Sequence, residues 1–380
     1  GRAHLGENLL GRNAAVHQGA HVLRSESVVS VTGQVMARPD ESKNPHLPTG
    51  EVEVFVDAVE ILNESKTPPF VIEDDAEVTE SIRLKYRYLD LRRPKMQRLL
   101  SLRHDIMQAV RGFLNAERFL EVETPILTKS TPEGARDYLV PSRVNPGQFY
   151  ALPQSPQLFK QVLMVSGVDR YYQIARCFRD EDLRNDRQPE FTQIDAELSF
   201  ADREQVMTLM EQMIVTVFRE AGGVHLPTPF PRMTYAEALG RYGSDKPDLR
   251  FDMPLYDVTA FAATSEFKVF KEAATKGGIV KALIVKGGAA TPRSRIDALG
   301  EMAKSFGAKG LAWLKITAEG QLESVIAKFL DAKAFAAALP EAKPGDLVLF
   351  GADKAAIVHD VLGRIRLQLG EELKLIDVKA

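Results

Sequence analysis

Polar and apolar positions alternate strictly from Phe191 to Leu198: Phe191, Gln193, Asp195 and Glu197 fall on one side, Ile194, Ala196 and Leu198 on the other. A period of two predicts a strand with one polar face. Two more strands are predicted at Val28 to Val35, around Gly33, and at Glu51 to Leu62, where Val52, Val54 and Val56 alternate with acids. Pro39, Asn44, Pro45, Pro48 and Gly50 make a loop between them. A helical period runs from Arg98 to Arg118, with Leu99, Leu102, Ile106, Val110, Phe113 and Leu114 on one face, and again from Ala201 to Gly222. A short strand, Phe119 to Thr124, follows the first helix and stops at Pro125. Ser155-Pro156 predicts a helix start with proline at the first helical position. Gln157 and Lys160 then share one side of that helix.

Beyond Phe251 the texture changes, with more Ala and Gly and fewer charge clusters. Strands are predicted at Ile279 to Val285, Leu311 to Ile316 and Leu347 to Phe350. Helices are predicted up to Gly307 behind a Ser294–Asp297 capping box, from Ala327 to Leu339, and from Ala355 to Leu369. Gly287-Gly288 is a turn, and His359 a surface helix residue. The order β-α-β-α-β-α predicts a small α+β domain. Thr67 to Glu80, with Pro68, Pro69 and five acids, reads as a hinge. After it, LKYRYLDLRRP reads as a solvated basic face.

At 380 residues, two or three domains are expected. With 44% hydrophobic and 27% charged residues and a formal net charge of −3, the composition is that of a soluble globular protein. No apolar run is long enough to span a membrane, and Arg2, His4 and Glu7 interrupt any leader pattern. The single cysteine, Cys177, excludes a disulfide framework and a cysteine zinc site, and its apolar neighbours predict a buried thiol. A cytoplasmic location is expected. Mild acidity argues against bulk binding to nucleic acid but allows a local basic face.

The polar strand is preceded by Phe178-Arg179-Asp180-Glu181 and a charged, glycine-free loop from Asp182 to Gln188. Such a polar face is costly unless it meets ligand or solvent. By spacing alone, a solvated hairpin fits slightly better than a site for a phosphate-bearing substrate. The wording F-R-D-E, loop, R-Q-P-E-F-T-Q-I-D, however, closely resembles motif 2 of the class II aminoacyl-tRNA synthetases of the bacterial aspartyl type. The likeness extends without gaps from about Gly50 to the C-terminus. LKYRYLDLRRP matches the lead-in to motif 1, and the helix, strand and Pro125 resemble motif 1 itself, which implies a homodimer.

The resemblance implies an α+β multidomain fold: a partial OB-fold β-barrel for anticodon binding at 1–65, a linker at 66–90, an incomplete antiparallel-sheet catalytic core at 91–250, and an insertion domain at 251–380. It implies ligation of L-aspartate to tRNA with ATP as substrate and Mg²⁺ as cofactor. Glu133 of TPEGARDYLVP would line the aspartate pocket. Ser155, Gln157 and Lys160 of ALPQSPQLFKQVLM would hold the amino acid, with Lys160 facing its side-chain carboxylate. Arg179 would bridge the amino-acid carboxylate and the α-phosphate. Glu181 would meet the adenine amino group or hold the arginine, Gln188 would reach ATP, and Phe191 would stack on adenine. Gln193, toward ATP, and Asp195, toward the aspartate, would line the pocket. No protein metal ligands are implied.

The family's motif 3, a Gly-rich segment ending in Arg, is not found. The expectation is therefore an inactive fragment, lacking segments at both ends. Two alternatives remain open: a non-catalytic RNA- or partner-binding relic, and a tRNA-independent aspartate-adenylating paralogue. Whether aspartate tRNA alone or also asparagine tRNA is charged is open too.

Overall fold

The computed structural model describes residues 23–45, 47, 49–131, 133–184 and 187–376. The chain divides into two compact units, Gly1–Pro229 and Phe230–Ala380.

In the first unit, β1 (Val28–Ala37) and β2 (Val52–Asn63) pair antiparallel, with an irregularity at Thr32/Gly33. A Cβ at Gly33 would stand 2.0 Å from the Phe55 carbonyl oxygen, so only glycine fits that approach. Helices α1 (Glu80–Lys85) and α2 (Arg87–Asp90) lead to α3 (Pro94–Ala116). The basic run is not simply solvated. Asp90 is fully buried and held by Arg83, Arg87 and Arg93. The Arg83 hydrogen bond, outweighing burial, holds its carboxyl below the usual range. Asp74 accepts from the Lys95 backbone N–H at 2.9 Å and from Arg98, fixing the start of α3.

Val110 and Leu114 of α3 are buried with Phe119, Tyr172, Leu209 and Met213, while Leu99, Leu100 and Leu102 of the same helix are exposed. The strand after α3 is shorter than expected. Only β3 (Leu120–Glu121) pairs, parallel to the strand carrying Tyr171 and Tyr172. Pro125 lacks an N–H and restricts Thr124, which stops the ladder early. The hairpin β4 (Leu139–Pro141) and β5 (Phe149–Ala151) precedes α4 (Gln157–Val165), for which Pro156 is the cap rather than the first helical residue. Strand β7 (Glu190–Leu198) is the one expected from the alternation, and it pairs antiparallel with β6 (Arg170–Phe178). Helix α5 (Arg203–Gly222) is capped by Asp202 and Gln205 reciprocally and packs on α3.

The second unit opens with α6 (Tyr235–Tyr242), a segment the sequence reading groups with the catalytic half. It continues through β8 (Leu255–Asp257), α7 (Thr259–Thr264), α8 (Lys268–Thr275), β9 (Ile279–Val285), α9 (Arg293–Ser305), β10 (Ala312–Ile316), β11 (Leu322–Glu323), α10 (Ala332–Ala338), β12 (Leu347–Asp353) and α11 (Ala355–Glu372). The strands form one antiparallel sheet, ordered β11-β10-β12-β9-β8. Leu347 and Leu349 face the core under α9 and α11, whereas Val348 and Phe350 face the core under α7, α8 and α10. Burial on both faces explains why the central strands read as continuous apolar runs.

Three expectations need correction here. The Ser294–Asp297 capping box does not form: the helix starts at Arg293 behind Pro292, which places Ser294 inside the first turn, and Asp297 pairs with Arg293. The helix expected from Ala327 to Leu339 is broken, because Asp331 caps Lys333 and Ala334 and restarts it. His359 is half-buried, and its Nε2 is buried without a hydrogen-bond partner.

Candidate functional site

The pairing of β6 with β7 sets Cys177 opposite Phe191, Ala175 opposite Gln193, Gln173 opposite Asp195 and Tyr171 opposite Glu197. Paired residues share a face, so these eight line one surface, with α4 packed against both strands. The loop after Phe178 and the start of β7 enclose a cavity of about 440 Å³, lined by Arg179, Glu181, Asp182, Leu183, Arg187, Gln188 and Phe191. The Arg179 guanidinium carbon lies 5.1 Å from the Phe191 ring centroid. Its Nε is buried and makes no hydrogen bond within the protein. A desolvated donor beside a cavity is suited to an anion. Arg187 reaches Glu181 at 2.9 Å.

At the other end of the face, Lys160 Nζ stands 2.8 Å from Asp195 Oδ1 and 3.3 Å from Glu197 Oε2. Burial pulls the ammonium pKa down, but the two carboxylates outweigh it and the value stands above the usual lysine range. Asp195 Oδ2 is buried and accepts no hydrogen bond. The neighbouring Tyr171 hydroxyl donates instead to Gln173 Oε1 at 2.9 Å, its own pKa pushed up first by burial and then by Asp195.

The loop holding Glu133 is tied in from two directions. Ser155 Oγ donates to Glu133 Oε2 at 2.7 Å, and the Gln154 amide bonds both backbone groups of Ala135. The Asp180 N–H donates to the Arg136 carbonyl at 3.0 Å, which joins this loop to the Arg179 segment. Cys177 is fully buried, as expected, and donates to Gln193 Oε1 at 3.0 Å; burial pushes its thiol up to about 11.

The structure thus brings Arg179, Glu181, Gln188 and Phe191 to one cavity, Lys160 to Asp195, and Glu133 to Ser155. Gln193 bonds Cys177, and Gln157 opens α4 without joining these contacts. Sequence reasoning missed Arg187, which stands beside Gln188, and the binding of Glu197 to Lys160, although Glu197 lies on the alternating face. Among the described residues no group of three or more His, Cys, Asp or Glu side chains could hold a metal ion.

The family model for class II tRNA synthetases (D, K and N) matches residues 79–339. The chain belongs to that family. This class II chain is 57% identical over 367 residues to the aspartate–tRNA(Asp/Asn) ligase of Desulfatibacillum aliphaticivorans, covering 96% of this chain and 62% of that protein. It is 59% identical over 362 residues to the aspartate–tRNA ligase of Geobacillus kaustophilus, covering 94% and 61%. It is 58% identical over 364 residues to the aspartate–tRNA(Asp/Asn) ligase of Bacillus subtilis, covering 95% and 61%. The chain thus spans less than two thirds of the length of these relatives. The crystal structure of asparaginyl-tRNA synthetase from Pyrococcus horikoshii, complexed with asparaginyl-adenylate, superposes with a TM-score of 0.51 at 19% identity, over 92% of this chain and 82% of that one. The class II fold, α+β with antiparallel sheets, is common to both.

Among the described residues no helix is long and apolar enough to cross a membrane.

Proposed function

We propose that this chain carries the ATP and amino-acid sites of an aspartate–tRNA ligase, which activates L-aspartate to aspartyl-adenylate and passes the aspartyl group to tRNA. The observation that carries the reading is the shared face of β6 and β7. Arg179 over Phe191 marks one end and the buried Lys160–Asp195 pair the other. Phe191 and Asp195 lie four residue steps apart along the strand, or about 13 Å, a length that suits a nucleotide joined to a small amino acid.

ATP enters as its magnesium complex, with adenine on Phe191, Gln188 and Glu181 alongside, and the α-phosphate at Arg179. An oxygen of the aspartate α-carboxylate attacks the α-phosphorus. A new P–O bond forms, the bond to the bridging oxygen of the β-phosphate breaks, and pyrophosphate leaves. A terminal ribose hydroxyl of tRNA then attacks the adenylate carbonyl carbon, and AMP leaves. Two anions repel each other, and a planar cation with a free Nε can hold both as charge redistributes. Lys160 faces the side-chain carboxylate, Glu133, Ser155, Gln157 and Asp195 complete the amino-acid end, and Gln193 lines the ATP side. Asp195 Oδ2, buried and unbonded, suits the substrate ammonium.

In the same reading β1 and β2 belong to an OB-fold that contacts the anticodon, residues 251–380 form the insertion domain, and α3 meets a second copy through Leu99, Leu100 and Leu102, all exposed. The test is a chimera in which this chain replaces the matched segment of the Bacillus subtilis relative. Aspartate-dependent ATP–pyrophosphate exchange is expected, together with ATP binding by the chain alone. Exchange driven equally by other amino acids, or none at all, would overturn the reading.

A further inference from the structure

We infer that Glu197 is a specificity-determining residue: it occupies Lys160 in the ligand-free protein and gives way to an incoming carboxylate, not to an amide. The inference rests on the aspartate reading above and concerns a side chain that reading leaves unused.

Lys160 reaches from α4 to two carboxylates on one face of β7, and the two contacts differ. Asp195 lies at 2.8 Å with its side chain 9% exposed, whereas Glu197 lies at 3.3 Å with its side chain 38% exposed. A short buried ion pair is a fixture, because separating it would strand a desolvated charge. A longer pair open to water exchanges readily, because solvent supports the released carboxylate.

Charge gives the exchange its direction. One ammonium facing two carboxylates leaves one negative charge uncompensated before any substrate arrives. A substrate carboxylate entering beside Glu197 would place three anions around one cation. If Glu197 swings into solvent, the entering carboxylate takes its place and the charge at Lys160 stays as it was. An amide brings no charge, so it cannot replace a carboxylate on the ammonium without weakening that bond. Glu197 thus raises the threshold for a neutral isostere such as asparagine, a case of discrimination by competition rather than by added contact. Arg187 and Glu181 satisfy each other in the cavity around Arg179.

The test is Glu197→Gln in the chimera. The KM for aspartate should fall roughly two- to fivefold, the strength of a partly exposed ion pair, and the preference for aspartate over asparagine in adenylate formation should fall at least as much. The KM for ATP is the internal reference. A rise in the KM for aspartate would mean that Glu197 orients Lys160 instead of competing for it. That would overturn the inference and leave the aspartate reading standing. An unmutated chimera without aspartate-dependent exchange would overturn the reading itself, and the inference with it. A second measurement needs no turnover. In nitrogen NMR of lysine-labelled chain, with the signal assigned through Lys160→Arg, Glu197→Gln should lower the pKa of the Lys160 ammonium. An unmoved Lys160 pKa would overturn the inference regardless of kinetics.

Discussion

Lys160 Nζ donates to Asp195 Oδ1 at 2.8 Å, and both side chains are about nine-tenths buried. Removing one member of such a pair costs about 3–5 kcal/mol, because the other charge is left buried and alone. Lys160→Met should therefore weaken the first unit by that order and, in the chimera, raise the KM for aspartate far more than that for ATP. Adding Asp195→Leu should restore much of the stability but not the aspartate binding. Urea unfolding followed by circular dichroism separates the two effects. A double variant no more stable than the single one would show that the pair is not coupled.

Arg179→Lys keeps the charge and loses the planar fork. Adenylate formation in the chimera should fall by about 10²–10³, the loss that accompanies one preorganised transition-state donor. The fold should be unaffected, since Arg179 Nε bonds nothing within the protein. Pyrophosphate exchange close to that of the parent would remove Arg179 from the mechanism.

Much of the site was legible because one strand carries it. Strict alternation from Phe191 to Leu198 marks which side chains share a face, and the motif wording suggests the roles proposed for them. What the sequence could not give was partnership. That Glu197 joins Asp195 on Lys160, and that Gln193 meets Cys177, depends on how α4 and β6 are placed against β7. The half-burial of His359 is hidden for the same reason: nothing within its own helix marks the approach of Lys281. The missed helix break at Asp331 was different, since an aspartate cap three residues before Ala334 was readable locally.

Gly363 offers a contest of known terms. Replacing an interior helical glycine with alanine ordinarily gains about 1 kcal/mol. Here a Cβ would stand 2.7 Å from the Gly243 carbonyl oxygen and 3.1 Å from that of Tyr242, both backbone atoms that cannot swing aside. Overpacking of this kind costs typically about 1–3 kcal/mol. Gly363→Ala should be net destabilising in urea, read from the fluorescence of Trp313, the only tryptophan. A more stable variant would mean that α6 and α11 are not in backbone contact.

The second unit should also lose stability in mild acid. Burial first, and then the Lys281 charge, hold the His359 pKa below its usual value, against the pull of Asp257. The unfolded chain then binds this proton more readily than the folded one. The contribution is complete above the unfolded value of about 6.5 and declines as pH falls through it toward the lower folded value. His359→Gln should flatten the stability profile between about pH 7 and 5 relative to the parent. Parallel profiles for the two proteins would place the titration elsewhere.

Arg366 makes the strongest case for a buried charge acting as a staple. It is 1% exposed, with its guanidinium carbon 4.0 Å from the Phe251 ring centroid and 4.9 Å from that of Tyr242. It donates to the carbonyls of Met253 at 2.9 Å, Asp248 at 2.8 Å and Phe251 at 3.0 Å. Those three carbonyls lie in a segment that belongs to no helix or strand, and Met253 there adopts φ 108°, a left-handed value unfavourable for its side chain. Such a conformation persists only where the surroundings over-determine it, and a rigid five-donor fork clamped between two rings does so. Arg366→Met would keep the bulk and leave those carbonyls without their donor, at about 1–3 kcal/mol for each one that stays buried. Arg366→Lys should fall between the parent and Met, since an ammonium keeps a charge but not the flat stack. The expected order in urea, followed at Trp313, is parent, then Lys, then Met, with new proteolytic cleavage near residues 248–253 in the Met variant. A Met variant within about 1 kcal/mol of the parent, uncut in this segment, would show that the segment is held by something other than Arg366.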